Sequence, residues 1–146
     1  HAFSVYHDPL PLTVADLGHP GGVRYSTEAR REETFLLARS SYRQDRLLGQ
    51  DPLAPELDYT VVEVKAPFLA ALCREAMLEE DPVFEAEYRP ADPAPWGASE
   101  AWRLYRRGEP DDRYLLAWPD RLAEVQVYGM ELDGARMGII GEKLKG

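Results

Sequence analysis

AWRLYRR-GEPDD-RYLLAW-PD-RLAEVQVY, residues 101–128, is the stretch that decides the fold. In its first run Trp102 and Leu104 stand two apart. In the second, Tyr114, Leu116 and Trp118 do the same, and in the third Ala123, Val125 and Val127. A period of two is the side-chain repeat of a strand, because successive residues point to opposite faces. The separators, Gly108–Asp112 and Pro119-Asp120, hold the residue types that favour tight turns. Strands joined by such short turns pair antiparallel, so 101–128 predicts a three-strand meander.

Working outward, Pro90, Pro93 and Pro95 form a stiff connector. Before it, Phe84, Ala86 and Tyr88 alternate with Glu85 and Glu87, as on an exposed strand. Residues 58–65 predict a β-branched strand with Thr60, Val62 and Val64 on one face. Pro67 then opens a helix, where its missing amide donor costs nothing. Leu69, Leu72, Cys73 and Ala76 make its apolar stripe, with Met77 at the edge, and the helix stops near residue 80, ahead of Asp81-Pro82. Residues 33–45 fit a strand with Leu36, Ala38, Ser40 and Tyr42 inward, and a helix over 28–46 fits nearly as well.

The segment 1–27 is rich in turn formers, with a short strand at Phe3–Tyr6 and one helical turn, N-capped by Thr13, at 13–17. A C-terminal helix is expected over 133–145, with Asp133 as N-cap and Met137, Ile140 and Leu144 on one face. Gly134, Gly138 and Gly141 weaken it by about 1 kcal/mol each relative to alanine. Together these elements predict an α+β fold in a single domain spanning 1–146, an antiparallel sheet with two or three helices packed on one face.

A chain of 146 residues, 45% apolar, can bury a core without disulfides or metals. Its 26 acidic and 17 basic residues leave a net charge of −9. That field repels nucleic acid and disfavours direct binding to anionic lipid. Cys73 is the sole cysteine, so neither an intramolecular disulfide nor a cysteine zinc site is expected, nor any cofactor. No run approaches the ~20 apolar residues of a membrane-spanning helix. The start at His1 in place of methionine predicts a domain excised from a longer protein.

No candidate for chemistry outweighs its plainer explanation. His1, His7 and His19, with Asp8 or Asp16, match no metal-ligand spacing, so no metal is expected. Gly97-Ala-Ser99-Glu-Ala101 resembles a nucleophile elbow, but a strand follows where a helix is required. Glu85 and Glu87, two apart on a strand, would share a face at roughly 7 Å, a separation suited to inverting glycoside hydrolysis. The wet face of an edge strand explains the pair more simply. Tyr105 and Tyr128 fall on positions opposite in parity to the apolar sets and are expected on an exposed binding surface with Glu85 and Glu87. Cys73 is expected to be a buried, inert thiol.

The stretches DPLPLTVADLG (8–18), WGASEAWRL (96–104) and IIGEKL (139–144) resemble segments of uncharacterised membrane proteins of Gram-positive bacteria. The resemblance implies a globular domain beside transmembrane helices, on the extracytoplasmic face of a bacterial membrane, with the cytoplasm as the alternative. It transfers no functional residue. The expected function is therefore a non-catalytic interaction or sensing domain whose partner is a protein or small ligand. The alternatives are a small hydrolase using Glu85 and Glu87, and an acidic immunity- or inhibitor-type binder built on Glu79-Glu80-Asp81 with Glu85 and Glu87.

Overall fold

A computed structural model describes residues 2–6, 10–19 and 21–146, the first of these as backbone only. Its strands are β1 (Ala2–Tyr6), β2 (Tyr25–Glu33), β3 (Leu37–Arg46), β4 (Glu56–Val64), β5 (Ala86–Ala91), β6 (Glu100–Arg106), β7 (Glu109–Trp118) and β8 (Arg121–Tyr128). The helices are α1 (Ala70–Met77) and α2 (Gly134–Leu144), with 3-10 turns at Pro67–Leu69 and Ala94–Trp96. All strands join one antiparallel sheet in the order β1-β2-β3-β4-β8-β7-β6-β5. Two four-strand meanders thus meet at β4 and β8, and the chain crosses from one to the other through α1.

The fold is α+β, as the sequence predicts, but two finer expectations change. The expected meander is the inner part of a larger unit, with β5 on its outer edge. The helices also pack on opposite faces. On one face α2 sets Ile140 and Leu144 against Leu57, Tyr59, Val61, Leu116, Val125 and Val127. On the other, Leu69, Ala70, Cys73 and Met77 of the α1 segment cover Val62, Val64, Ala117 and Leu122. The cause is visible in β7 and β8. Leu115, Leu116 and Ala117 are consecutive and all buried, as are Leu122 and Ala123. A strand apolar at both parities needs cover on both faces.

The same register puts Trp102 and Trp118 on opposite faces. Arg103 pairs with Tyr114 and Trp102 with Leu115, so Trp102 joins the α1 side while Trp118 joins the α2 side.

Local chemistry places the ends. Asp133 caps α2 by accepting the Arg136 amide at 2.9 Å. At 13–17 the Thr13 hydroxyl accepts the Asp16 amide at 3.3 Å, and the Asp16 carboxylate accepts the Thr13 amide at 2.8 Å. This reciprocal exchange has the form of a capping box. Arg136 ties turn to helix by donating to the Leu17 carbonyl at 3.1 Å. Tyr59, fully buried, both donates to the Leu12 carbonyl (2.8 Å) and accepts the Leu12 amide (2.9 Å). Gln44 accepts the Val14 amide at 2.9 Å.

The predicted strand over 33–45 is split. Thr34 accepts the Leu36 and Leu37 amides and closes a hairpin turn, leaving β2 before it and β3 after. Ala38, Ser40 and Tyr42 do face the α2-side core, while Leu36 lies in the turn. The helix predicted to residue 80 is shorter: its first turn is 3-10, and its last helical residue is Met77.

Candidate functional site

Helix α1 covers only part of its face. None of its residues is fully buried, and no side chain caps its start. Its stripe seals the sheet at Val62, Val64 and Leu122 and leaves the strands beyond open. Between helix and sheet lies a cleft of about 370 Å³. Cys73, Ala76 and Met77 form its helical wall, Leu37 and Val62 its apolar floor, and Arg39, Thr60, Glu32 and Glu124 its polar side. The volume falls in the range, about 300–1,000 Å³, that small-molecule sites occupy.

Parity puts these side chains together. Val62 opposes Arg39 on one side and Leu122 on the other, and Thr60 opposes Ser41 and Glu124. All therefore stand on the α1 face. A smaller polar hollow of about 110 Å³ continues from Thr60 and Glu124 past Arg113, Gln126 and Asp58. A shallow one of about 320 Å³ follows along Ser41, Arg43, Asp58, Glu28 and Arg30.

The polar side is held by hydrogen bonds. The half-buried Tyr88, reaching in from β5, donates its hydroxyl to Glu124 at 2.7 Å. Burial, reinforced by the Glu124 charge, holds the Tyr88 hydroxyl well above the ordinary tyrosine range. Arg113 stands 3.9 Å from Glu124 and donates to Gln126 at 2.8 Å. Glu124 is thus an acceptor with its charge balanced locally, not an isolated acid. Glu32 has a partner of its own. Among the described residues, Arg39 makes no ion pair and no side-chain hydrogen bond, and it is exposed at the cleft mouth.

The residues singled out in the sequence lie elsewhere. Glu85 is not on a strand: it sits in the turn before β5 with φ of 51°. The turn is closed by Asp81, which pairs with Ala86 through both backbone bonds and accepts the Val83 and Phe84 amides. Glu85 faces Arg107 at 3.8 Å, and Glu87 accepts two hydrogen bonds from Arg89 at 2.7 and 2.9 Å. An open hollow of about 280 Å³ adjoins the pair. Each carboxylate has its own arginine and neither is buried, whereas a catalytic pair needs one acid driven protonated by burial.

Tyr105 is half-buried beneath Arg89, whose guanidinium carbon lies 4.2 Å from the ring centre. It shares the parity of Arg103, which stacks on Tyr114 of the α2 face. Tyr128 has the parity of Glu124 and Gln126 on the α1 face, and burial raises the pKa of its hydroxyl. The structure does not bring these two tyrosines onto one surface.

Ser99 is exposed and donates its backbone amide to Ala117, and the residues after it enter β6. Cys73 is half-buried and lines the cleft, so the expected burial is only partial. His1, His7 and Asp8 lie outside the described residues, and no metal-holding cluster occurs among those described. No helix among the described residues is long and apolar enough to cross a membrane.

Sequence reasoning missed Arg39, Thr60, Glu124 and Tyr88 as a set. They come from four strands, and only the β4–β8 pairing assembles them. Comparison with protein-family models, with curated proteins and with solved structures finds no match.

Proposed function

We propose that this chain is a non-catalytic binding domain, of the interaction or sensing type, and that the cleft beneath α1 is where it takes a small ligand. One observation carries this: the cleft has an apolar floor and wall with hydrogen-bonding groups gathered on one side. That division is characteristic of ligand sites. Around it Glu124 is engaged by Tyr88 and Arg113, and the Thr60 hydroxyl pairs with that of Ser41. Amide NMR with a panel of small amphiphilic and aromatic fragments tests the reading. Shifts are expected to gather at Leu37, Val62, Cys73 and Met77. Shifts gathering on the opposite face, at α2, contradict it.

The resemblance of residues 8–18, 96–104 and 139–144 supports a parent that is membrane-associated and bacterial, with this domain on the extracytoplasmic side. Transmembrane helices in the full open reading frame are expected. A frame without them counts against that location.

A second reading, the acidic binder of a protein, draws on the turn at 82–85. Val83 and Phe84 are 80% and 63% exposed there, flanked by Glu79, Glu80, Asp81 and Glu85. Such a tip suits a partner with an apolar pocket and a basic rim. Salt-sensitive binding to immobilised peptides alternating arginine with leucine, lost in Phe84→Ser, is its expected mark. Equal binding by that variant removes it.

A further inference from the structure

We infer that the ligand of the α1 cleft is a small amphipathic carboxylate, with its apolar body on Val62, Leu37 and Met77 and its head on Arg39. This rests on the proposed binding role and adds the chemical class. Three features of the cleft converge on it.

The first is the arrangement of apolar surface. Leu37 opposes Val64 and lies diagonal to Val62 across the β3–β4 pair on the α1 face, and Cys73 and Met77 stand four residues apart on the helix above them. They make two opposed walls suited to a chain or ring. A polar ligand would leave this surface unused, and binding an apolar group would remove it from water.

The second is the state of the charges. Of the acids, Glu124 is satisfied by Tyr88 and balanced by Arg113, and Glu32 has its own partner. Arg39 is the lining charge left without a partner among the described residues, although Glu32 opposes it across the β2–β3 pair. A guanidinium presents its donors as a planar fork that matches a carboxylate with two parallel hydrogen bonds. An ammonium head at the same place would meet the Arg39 charge, and the nearby carboxylates, Glu32 and Glu124, are already engaged.

The third is depth. Arg39 opposes Val62, so the charge lies beside the apolar floor and not at a distance from it. One short molecule can therefore reach both. Thr60, next on the same face, supplies a hydroxyl within the cleft lining.

Calorimetric titration with octanoate, octan-1-ol and octylammonium tests the assignment, with Arg39→Gln as the variant. Arg39 is exposed, so its replacement is expected to leave the circular dichroism and melting temperature unchanged. Octanoate is expected to bind saturably, at least about tenfold tighter than octylammonium, because opposite charges attract and like charges repel at this mouth. Arg39→Gln is expected to remove that preference while leaving octan-1-ol binding as it was. Equal affinities for the three probes, or an octanoate affinity that Arg39→Gln does not change, overturn the carboxylate assignment and leave the binding role standing. Absence of binding by all three overturns the assignment and the small-ligand role of the cleft together.

Discussion

Replacing Gly141 with alanine is expected to destabilise the protein even though it improves the intrinsic helix propensity of α2. A Cβ at Gly141 would lie 1.7 Å from the Trp96 carbonyl oxygen and 2.7 Å from its carbon, where ordinary contact begins at 3.4 Å. Neither side yields cheaply. The Trp96 ring is buried and packs against Tyr114 with ring centres 4.9 Å apart, while Ile140 and Leu144 on α2 are fully buried. Overpacking of this kind costs about 1–3 kcal/mol, and a backbone obstacle puts it at the upper end. The propensity gain returns about 1 kcal/mol, leaving a net loss of about 2 kcal/mol. Gly138 is the internal control. Its Cβ would sit 3.6 Å from the Pro95 oxygen, an ordinary contact. Gly138→Ala should therefore gain about 1 kcal/mol. For a chain this long, 1 kcal/mol moves the midpoint by about 2–4 °C. Thermal melts followed by circular dichroism should show Gly141→Ala falling by about 4–8 °C and Gly138→Ala rising by about 2–4 °C. If Gly141→Ala rises alongside Gly138→Ala, the close approach of α2 to the Ala94–Trp96 turn is wrong.

Tyr59→Phe leaves a buried amide and a buried carbonyl of Leu12 without their shared partner. A loss of about 2–4 kcal/mol is expected in urea unfolding, with faster hydrogen exchange at Leu12, and an unchanged midpoint would refute the anchoring role. Tyr88 has its folded pKa raised above the unfolded value of 10.0, by burial and then by Glu124. Its contribution to stability is thus fully present below pH 10.0 and is lost as pH rises through the folded value. Stability should decline in alkali as pH rises above 10.0, and Tyr88→Phe should make the decline shallower. An identical slope in the variant would show that Tyr88 is not the group responsible.

The legible parts of the fold were those written in local chemistry. Period-two runs in β4, β6, β7 and β8, the Thr13 and Asp133 caps and the proline at the start of the α1 segment each act within a few residues. Strand β2 was illegible because YSTEARREE places Thr27, Ala29, Arg31 and Glu33 inward, and only Ala29 among them is both apolar and fully buried. Its signal is pairing with β3, which no window of β2 contains. The two-sided sheet did leave a trace in the consecutive apolar residues Leu115-Leu116-Ala117, which a strand covered on one face would not need. The cleft left none. Arg39, Val62, Met77 and Glu124 meet only because the chain crosses from β4 through α1 to the far edge and returns to pair β8 with β4. The carboxylates that stood out in the sequence, Glu85 and Glu87, were conspicuous for their spacing of two, but in the fold they are unburied and salt-bridged, which makes them poor catalysts.

Filling the cleft is the most direct measurement of whether it binds. Ala76 lines it from an exposed position on α1, so Ala76→Trp can occupy the space without entering the core. Amide NMR of wild type and Ala76→Trp, each titrated with octanoate, is the comparison. Shifts at Leu37, Val62 and Met77 are expected in the wild type and not in the variant, with the two proteins melting together. Identical titrations in both proteins would contradict the cleft as the binding site of this domain.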